Sequence, residues 1–425
     1  MFGRFPGVDG VTKGPIYRWG GLDPANLTDP DESAARKLAV ALLRDFPEIA
    51  RTPVGEVLIR KLDPPPGQRY PSDLPHDYIQ AKLDFRNGHM DGFGVNANAA
   101  RYAYTQLRPS DIPNYWIWAK QFTLSDNFFA SAEGPSFPNH LMTIAATSGP
   151  DGGGTRDNPW QEPADISEMQ REGLVKTWGC DIPDSGFVKI FDSEGKPIKK
   201  VDPCFDFKTE GDLLSEKGID WSYYAATNKQ IGYIWSAYAA IGRYRNNDKL
   251  WDKHIKPVDE FVSDVEAGEL DPVTWITPRF EFSEHPEFSM CWGEDWTTQV
   301  VNAIMESPEW ESTAIFITWD DWGGFYDHVK PVRVDPFGFG FRVPMMVISP
   351  YAKRGFIDSQ EGEFSSVLRF IEDNWGLAQL TKRDRRANNL SQHFDFTQEP
   401  RKATPLPLRA PECKGDPLAK PKSWG

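Results

Sequence analysis

Four stretches of the chain are apolar almost without interruption and too short for helices: residues 221–225, 273–277, 313–318 and 343–349. Runs of that length, rich in β-branched and aromatic residues, read as buried strands. Between them the apolar period changes to that of a helix. Residues 296–305 form one such segment. Residues 364–375 form another, with Phe364, Val367, Leu368, Phe370 and Ile371 on one face, Ser365 and Ser366 near the start and Gly376 as the stop. Strands that alternate with helices, two of them apolar almost throughout, belong to a sheet covered on both faces, so the pattern predicts an α/β sandwich.

The patterning weakens in two places. Residues 149–163 are rich in Gly, Asp and Pro, and regular periodicity returns only near Trp221, so residues 149–220 read as a cap-like insertion within one domain of residues 1–402. Residues 403–425 hold several prolines and few large apolar side chains, and are expected to wrap the surface or lack fixed structure. No internal repeat interrupts this reading.

Composition narrows the class. With 39% hydrophobic residues, 16 Trp, 13 Tyr and 27 Phe, the chain can bury a large core. A formal charge of −15 argues against wholesale nucleic-acid binding, which needs a basic face. No apolar run approaches the roughly 20 residues that span a bilayer, and the opening Met1-Phe-Gly-Arg-Phe-Pro has no apolar signal-peptide core. Four cysteines with no CxxC spacing point neither to zinc nor to a disulfide scaffold. Cys180 and Cys204 bracket a polar stretch and form a candidate bridge if the protein is exported, whereas Cys291 and Cys413 carry no such hint.

Four segments carry the candidate chemistry. Ser136 lies in a Gly-Pro turn directly before an apolar, helix-like run, where free backbone N–H groups favour a phosphoryl anion. The alternative is that Ser136 or Asn139 simply caps that helix. Asp320 and Asp321 follow the most apolar strand and precede Gly323 and Gly324, at the strand end where open α/β sheets gather ligands, and their oxygens suit a divalent cation. His76, the segment around His89 and Asp91, and Glu284-His285-Pro286 complete the set, although isolated histidines are usually structural. Together they supply a nucleophile, a cation site and donors for phosphoryl oxygens.

With these residues in view, the chain resembles the bacterial and plant phosphoesterases that include nonspecific phospholipases C and acid phosphatases, related in fold to alkaline phosphatase. The matching pieces are FPGVDG near the start, NGHMDGF at 87–93, DNFFASAEGPSFPNHL at 126–141, ELDPVTWITP at 269–278, EHP at 284–286, and TWDDWGGFYDHV followed by GFGFRVPMMVISPYAK. The resemblance implies a three-layer α/β/α sandwich. It places Ser136 at the nucleophile's position, Asp320 and Asp321 as ligands of one divalent metal ion, and His76, His285 and Asn139 against the phosphate. His140 and His328 fall inside matching motifs and are expected to be structural. Where plant relatives read Asp-Glu-His, this chain reads Asp320-Asp321-Trp322.

The implied activity is hydrolysis of a phosphate ester, either a small molecule or a phospholipid head group, through a phosphoseryl intermediate. Two alternatives stay open: an acid phosphatase acting on monoesters, and a catalytically weak relative that binds a phosphorylated or lipid ligand. The resemblance also implies export to the periplasm or beyond, and a strand followed by Glu-Asn-Arg-Ser-Phe-Asp ahead of the FPGVDG piece. That strand and its Glu-Asn pair are not found in the sequence, so a first strand is expected to be missing and the chain is expected to be weakly active and poorly soluble without it.

Overall fold

The structure is a computed structural model that describes residues 1–15, 56–58, 60–61, 73–94, 102–149, 160–161, 178–182, 188–191, 197–286, 288–335 and 337–413. The four apolar runs all become strands, most of them trimmed at their ends. The strands that frame the site are Thr123–Ser125 (β1), Trp221–Ala225 (β2), Ile255–Pro257 (β3), Val273–Ile276 (β4), Ile315–Thr318 (β5), Met345–Ile348 (β6) and Phe356–Asp358 (β7).

They fall into two half-sheets. In one, β3, β2 and β4 lie side by side and all parallel, with Trp221 opposite Val273. In the other, the order is β5-β6-β1-β7. There β6 runs antiparallel to both neighbours, Ile315 lies opposite Ile348, and β7 runs parallel to β1. Every residue of β2, β1 and β6 is buried, so both faces of those strands are covered, as a near-continuous apolar sequence requires.

The cover is helical. Pro113–Gln121 (α2) lies against β1 and β6, and also meets the long helix Met290–Glu306 (α6). Ser136–Ala145 (α3), Glu210–Lys217 (α4) and Phe364–Trp375 (α7) form a second contacting set, with α4 against β2. The pattern placed α7 at its observed bounds, but the cap differs from expectation. Glu363 accepts from the Ser365 N–H, Ser366 accepts from the Glu363 N–H, and Gly376 stops the helix at φ 62°. Helix α6 starts six residues before the expected 296, because Ser289 caps it by accepting from the Trp292 N–H.

Of the expected insertion, Trp160–Gln161, Val188–Phe191 and Pro197–Val201 form a small antiparallel sheet, and the rest of residues 150–196 falls largely outside the described residues. Cys180 and Cys204 are bridged, and a second disulfide joins Cys291 to Cys413. No sequence signal pointed to the second pair, whose members are 122 residues apart. It ends a strap that crosses several elements. Arg401 donates to the carbonyls of Gln121 and Ala352, Asn302 and Leu406 bond each other twice, and Arg409 reaches Glu294. No helix among the described residues is long and apolar enough to cross a membrane.

One feature of the core makes stability depend on pH. Glu210, Glu372 and Asp384 are all essentially inaccessible, and neither carboxylate oxygen of Glu210 has a partner. Burial, then the charge of Asp384, pushes Glu210 up to about 8. Burial, a hydrogen bond with Asp384 and the charges of Asp384 and Glu210 push Glu372 up to about 10. A carboxyl group raised in the folded state costs nothing below its ordinary value of 4.5, and then weakens the fold increasingly as pH climbs towards the raised value. Glu210→Gln and Glu372→Gln are therefore expected to raise the melting temperature at about pH 8 and to leave it nearly unchanged at about pH 4. Calorimetry of both variants across that range checks this, and an equal loss of stability at both pH values would refute the assignment.

Candidate active site

The turn that presents Ser136 is built by an asparagine. Asn139 accepts from the Ala132 N–H at 2.8 Å, and its amide donates to the carbonyls of Ala132, Gly134 and Pro135 at 3.2, 3.0 and 3.1 Å. It is fully buried. These bonds fold residues 132–135 back over the start of α3, so that Ser136 becomes its first residue. Neither side chain caps the helix: the residue at the cap is Pro135, which makes no side-chain bond. Asn139 thus stands behind Ser136 with its polar atoms committed to the loop.

Asp320 and Asp321 follow β5 directly. The Ser136 hydroxyl donates to Asp321 Oδ2 at 3.4 Å, and the Gly323 N–H donates to Asp321 Oδ1 at 2.7 Å. Asp320 Oδ2 lies 3.3 Å from His140 Nε2. Burial pushes the Asp320 carboxyl up, but the hydrogen bond and charge of His140 and the Ser136 hydroxyl outweigh it and hold the group well below the usual carboxylate range. Adjacent side chains on a strand diverge, and the turn at Gly323 (φ 58°) and Gly324 (φ 77°) lets both acids serve one cleft. Gly324 has a second duty, since a Cβ there would sit 2.6 Å from Leu74 Cβ and 2.9 Å from the Pro75 carbonyl. Its absence allows the segment carrying His76 to close on the acidic turn.

His76 precedes the helix Tyr78–Phe85 (α1), which Asp77 caps. Its Nδ1 lies 2.6 Å from the Leu74 carbonyl and 3.3 Å from Asp73. Burial disfavours a charged ring, but Asp73 and Asp321, with the Leu74 carbonyl, overcome it and raise His76 well above 6.5. Trp322 stands edge-on to it and donates to Asp84 of α1, and so buttresses His76 from behind.

His285 comes from the loop after β4, with its ring 5.6 Å from that of His76. Its Nδ1 faces the Pro286 carbonyl at 2.9 Å, leaving Nε2 turned towards Asp73 at 3.9 Å. The preceding Glu284 has φ 64°, a conformation costing a side-chain-bearing residue about 1–3 kcal/mol. It is pinned there by donors at 2.8 Å from Tyr115 and Trp319. Burial pushes Glu284 up to about 8.

All six residues anticipated from the sequence lie in this one region, five of them facing the cleft and Asn139 behind it. Three further residues gather at the site. His140, expected to be structural, stacks its ring on Trp235 and is the imidazole that reaches Asp320, at 3.3 Å. The signal was its spacing, since positions 136 and 140 share a helix face. Asp73 forms with His76 and His285 a group whose donor atoms lie within 4.8 Å of one another, yet nothing in its sequence context marked it. Glu284 stands out in the sequence only as a neighbour of His285. His328, by contrast, pairs with Asp9 and Asp327 at 3.0 and 3.4 Å and ties the first residues to the acidic loop. Asp91 is spent on a fully buried pair with Arg86.

The donor set around Ser136, two carboxylates and a hydroxyl, fits a hard divalent cation. The Asp73-His76-His285 group is a second possible cation site by ligand type.

A serine at a helix start, flanked by two acids and faced by imidazoles at the carboxyl ends of an α/β sheet, defines a hydrolase-like α/β protein. Residues 58–378 match the sequence profile of the Phosphoesterase family, and the chain belongs to that family. It is 27% identical over 341 residues to the hemolytic phospholipase C of Pseudomonas aeruginosa, covering 68% of this chain and 42% of that protein. It is 24% identical over 401 residues to phospholipase C B of Mycobacterium tuberculosis, covering 83% and 70%. Over 352 residues it is 26% identical to non-specific phospholipase C6 of Arabidopsis thaliana, covering 73% and 58%. The match spans less than half the length of the hemolytic phospholipase C of Pseudomonas aeruginosa and of the non-hemolytic phospholipases C of Burkholderia pseudomallei and Pseudomonas aeruginosa, at 42%, 46% and 44%.

If Asn139 acts by shaping the loop, Asn139→Ala is expected to lower kcat by roughly 10- to 100-fold with little change in KM, together with a fall in melting temperature. A variant that raised KM alone would place Asn139 in contact with substrate instead.

Proposed function

We propose that the chain hydrolyses phosphate esters by covalent catalysis at Ser136. The observation that carries this reading is the convergence on the Ser136 hydroxyl of Asp321 at 3.4 Å and of Asp320, in the cleft that His76 and His285 also line. The hydroxyl proton leaves towards the acid side of the cleft, where Asp321 Oδ2 accepts its hydrogen bond. The Ser136 oxygen then forms a bond to phosphorus while the bond from phosphorus to the ester oxygen breaks. His76 and His285 lie where they would hold the nonbridging oxygens. Water then attacks the phosphoserine, releasing phosphate or a phosphomonoester and restoring the serine. When bound at Asp320 and Asp321, a divalent cation would supply positive charge for the alkoxide and for the oxygens of the transition state.

The relatives named as phospholipases C favour a diester substrate with a lipid leaving group, and the cleft opens into a largely apolar cavity of about 1120 Å³. Turnover of p-nitrophenyl phosphorylcholine and p-nitrophenyl phosphate, each with divalent cation added or removed by chelator, tests the reading. Activity on the diester that falls on chelation and returns with cation is expected, and turnover indifferent to chelation would count against the metal. Ser136→Ala is expected to lose at least about a thousandfold in kcat while keeping the fold. Retention of more than about a tenth of the activity would rule out the covalent route.

A further inference from the structure

The chain carries 62 acidic against 47 basic residues, yet one part of its surface gathers cations. Two segments far apart in sequence build it. The first is the loop of residues 330–333, in which Lys330, Val332 and Arg333 are exposed. The second is the short helix Lys382–Arg386, in which Lys382, Arg385 and Arg386 are exposed. The helix is fastened beside the loop. Arg383 donates to the Gly338 carbonyl at 2.7 Å and lies 3.4 Å from Asp335, and Arg386 reaches the Val334 carbonyl at 3.5 Å.

The acids interleaved with these cations are withdrawn from the surface. Asp384 is buried and holds the start of its own helix by accepting from the Leu380 and Thr381 N–H groups. Glu133 is buried too, and its Oε2 accepts from Lys82 at 2.6 Å and from Arg333 at 3.1 Å. Lys330, Lys382 and Arg385 have no carboxylate within ion-pair reach among the described residues. Amid this charge stands an apolar side chain. Val332 is 45% exposed, although its carbonyl is fixed by the Phe339 N–H at 2.9 Å. The patch also borders the cleft. Lys330 comes two residues after His328, which lines the cavity, and Glu133 comes three residues before Ser136, in the turn that Asn139 holds.

We propose that this face docks the protein on an anionic lipid bilayer, with the cations against the phosphates and Val332 entering the interface between them. The inference rests on the proposed function only for its purpose, which is to bring a lipid ester to the cleft. Charge and apolarity together select the partner. An anionic bilayer presents phosphates in a plane with hydrocarbon directly beneath, and so matches cations that flank an exposed valine. A nucleic-acid backbone supplies phosphates without that layer, and neither segment holds an aromatic residue on which a base could stack. The −15 charge of the whole chain then acts as an orienting force, because an anionic surface attracts this face and repels the others.

Cosedimentation of the complete 425-residue chain with vesicles, in chelator and without reference to turnover, tests this, so its outcome is separate from that of the proposed reaction. The probes are vesicles of phosphatidylcholine alone and of phosphatidylcholine with phosphatidylglycerol. Binding to the anionic vesicles is expected to exceed binding to the neutral ones at least about tenfold at about 0.1 M salt and to fade by about 0.5 M. The triple variant Lys330→Gln, Lys382→Gln, Arg385→Gln is expected to bind at least about tenfold more weakly, and Val332→Ser about threefold. Removing the same charge from exposed sites elsewhere, by Lys217→Gln, Lys229→Gln and Lys249→Gln, is expected to change binding by no more than about twofold. Melting temperatures of all three variants are expected to match the parent. Absence of binding, equal binding to neutral vesicles, or equal loss in the two triple variants would overturn the proposal. Salt-sensitive binding of a single-stranded oligonucleotide in place of the vesicles would assign the face to nucleic acid instead, and self-association abolished by the patch variant, without vesicle binding, would assign it to a second copy.

Discussion

Everything in the cleft follows from holding two adjacent carboxylates beside one hydroxyl. Like charges this close, partly removed from water, repel each other and favour protonation, which would deprive the site of its anionic character. The structure answers with donors placed by several separate elements. A backbone N–H from the glycine turn reaches Asp321, and His140 from helix α3 reaches Asp320. Asp73 and Asp321 in turn raise the His76 ring above its ordinary value. The acids, the serine and the imidazoles thus form one connected polar unit rather than a set of independent ligands.

That unit is positioned by backbone more than by side-chain packing. Gly324 lets residues 74–75 approach the acidic turn, and Gly293 on helix α6 leaves the space that Glu284 occupies, where a Cβ would collide with its side chain. Glu284 in turn fixes the loop that carries His285. Helix α3 presents Ser136 and His140 on one face while Asn139 turns inward to hold the loop. The same helix therefore supplies Ser136, the neighbouring imidazole of His140 and the asparagine that holds the loop.

The sequence disclosed elements whose pattern is local. Strands of four to five apolar residues and the amphipathic helix 364–375 are written in short periodicities, and Asp320, Asp321, Ser136, His76 and His285 stood next to turns or strand ends that imply a cleft. What escaped was set by distance along the chain. The Cys291–Cys413 bridge spans 122 residues, and the group of Asp73 with His285 joins loops more than two hundred residues apart, so neither leaves a mark on its own neighbourhood. His140 escaped for a different reason. Its role depends on the rotation of the helix relative to β5, which periodicity suggests only once Ser136 is taken as the reference.

The bridge at Cys413 also bears on how the molecule ages. The strap formed by residues 395–413 lies across helices α2 and α6 and the end of β6, and its last anchor is covalent. Trimming by a carboxypeptidase, or tension applied to the chain beyond Cys413, stops at that anchor for as long as the surroundings are oxidising. Once the bond is reduced, the segment is held only by reversible contacts such as those of Arg401, Leu406 and Arg409, and it becomes the place where fraying can begin. The lifetime of the protein in a given compartment is thereby tied to the local thiol balance.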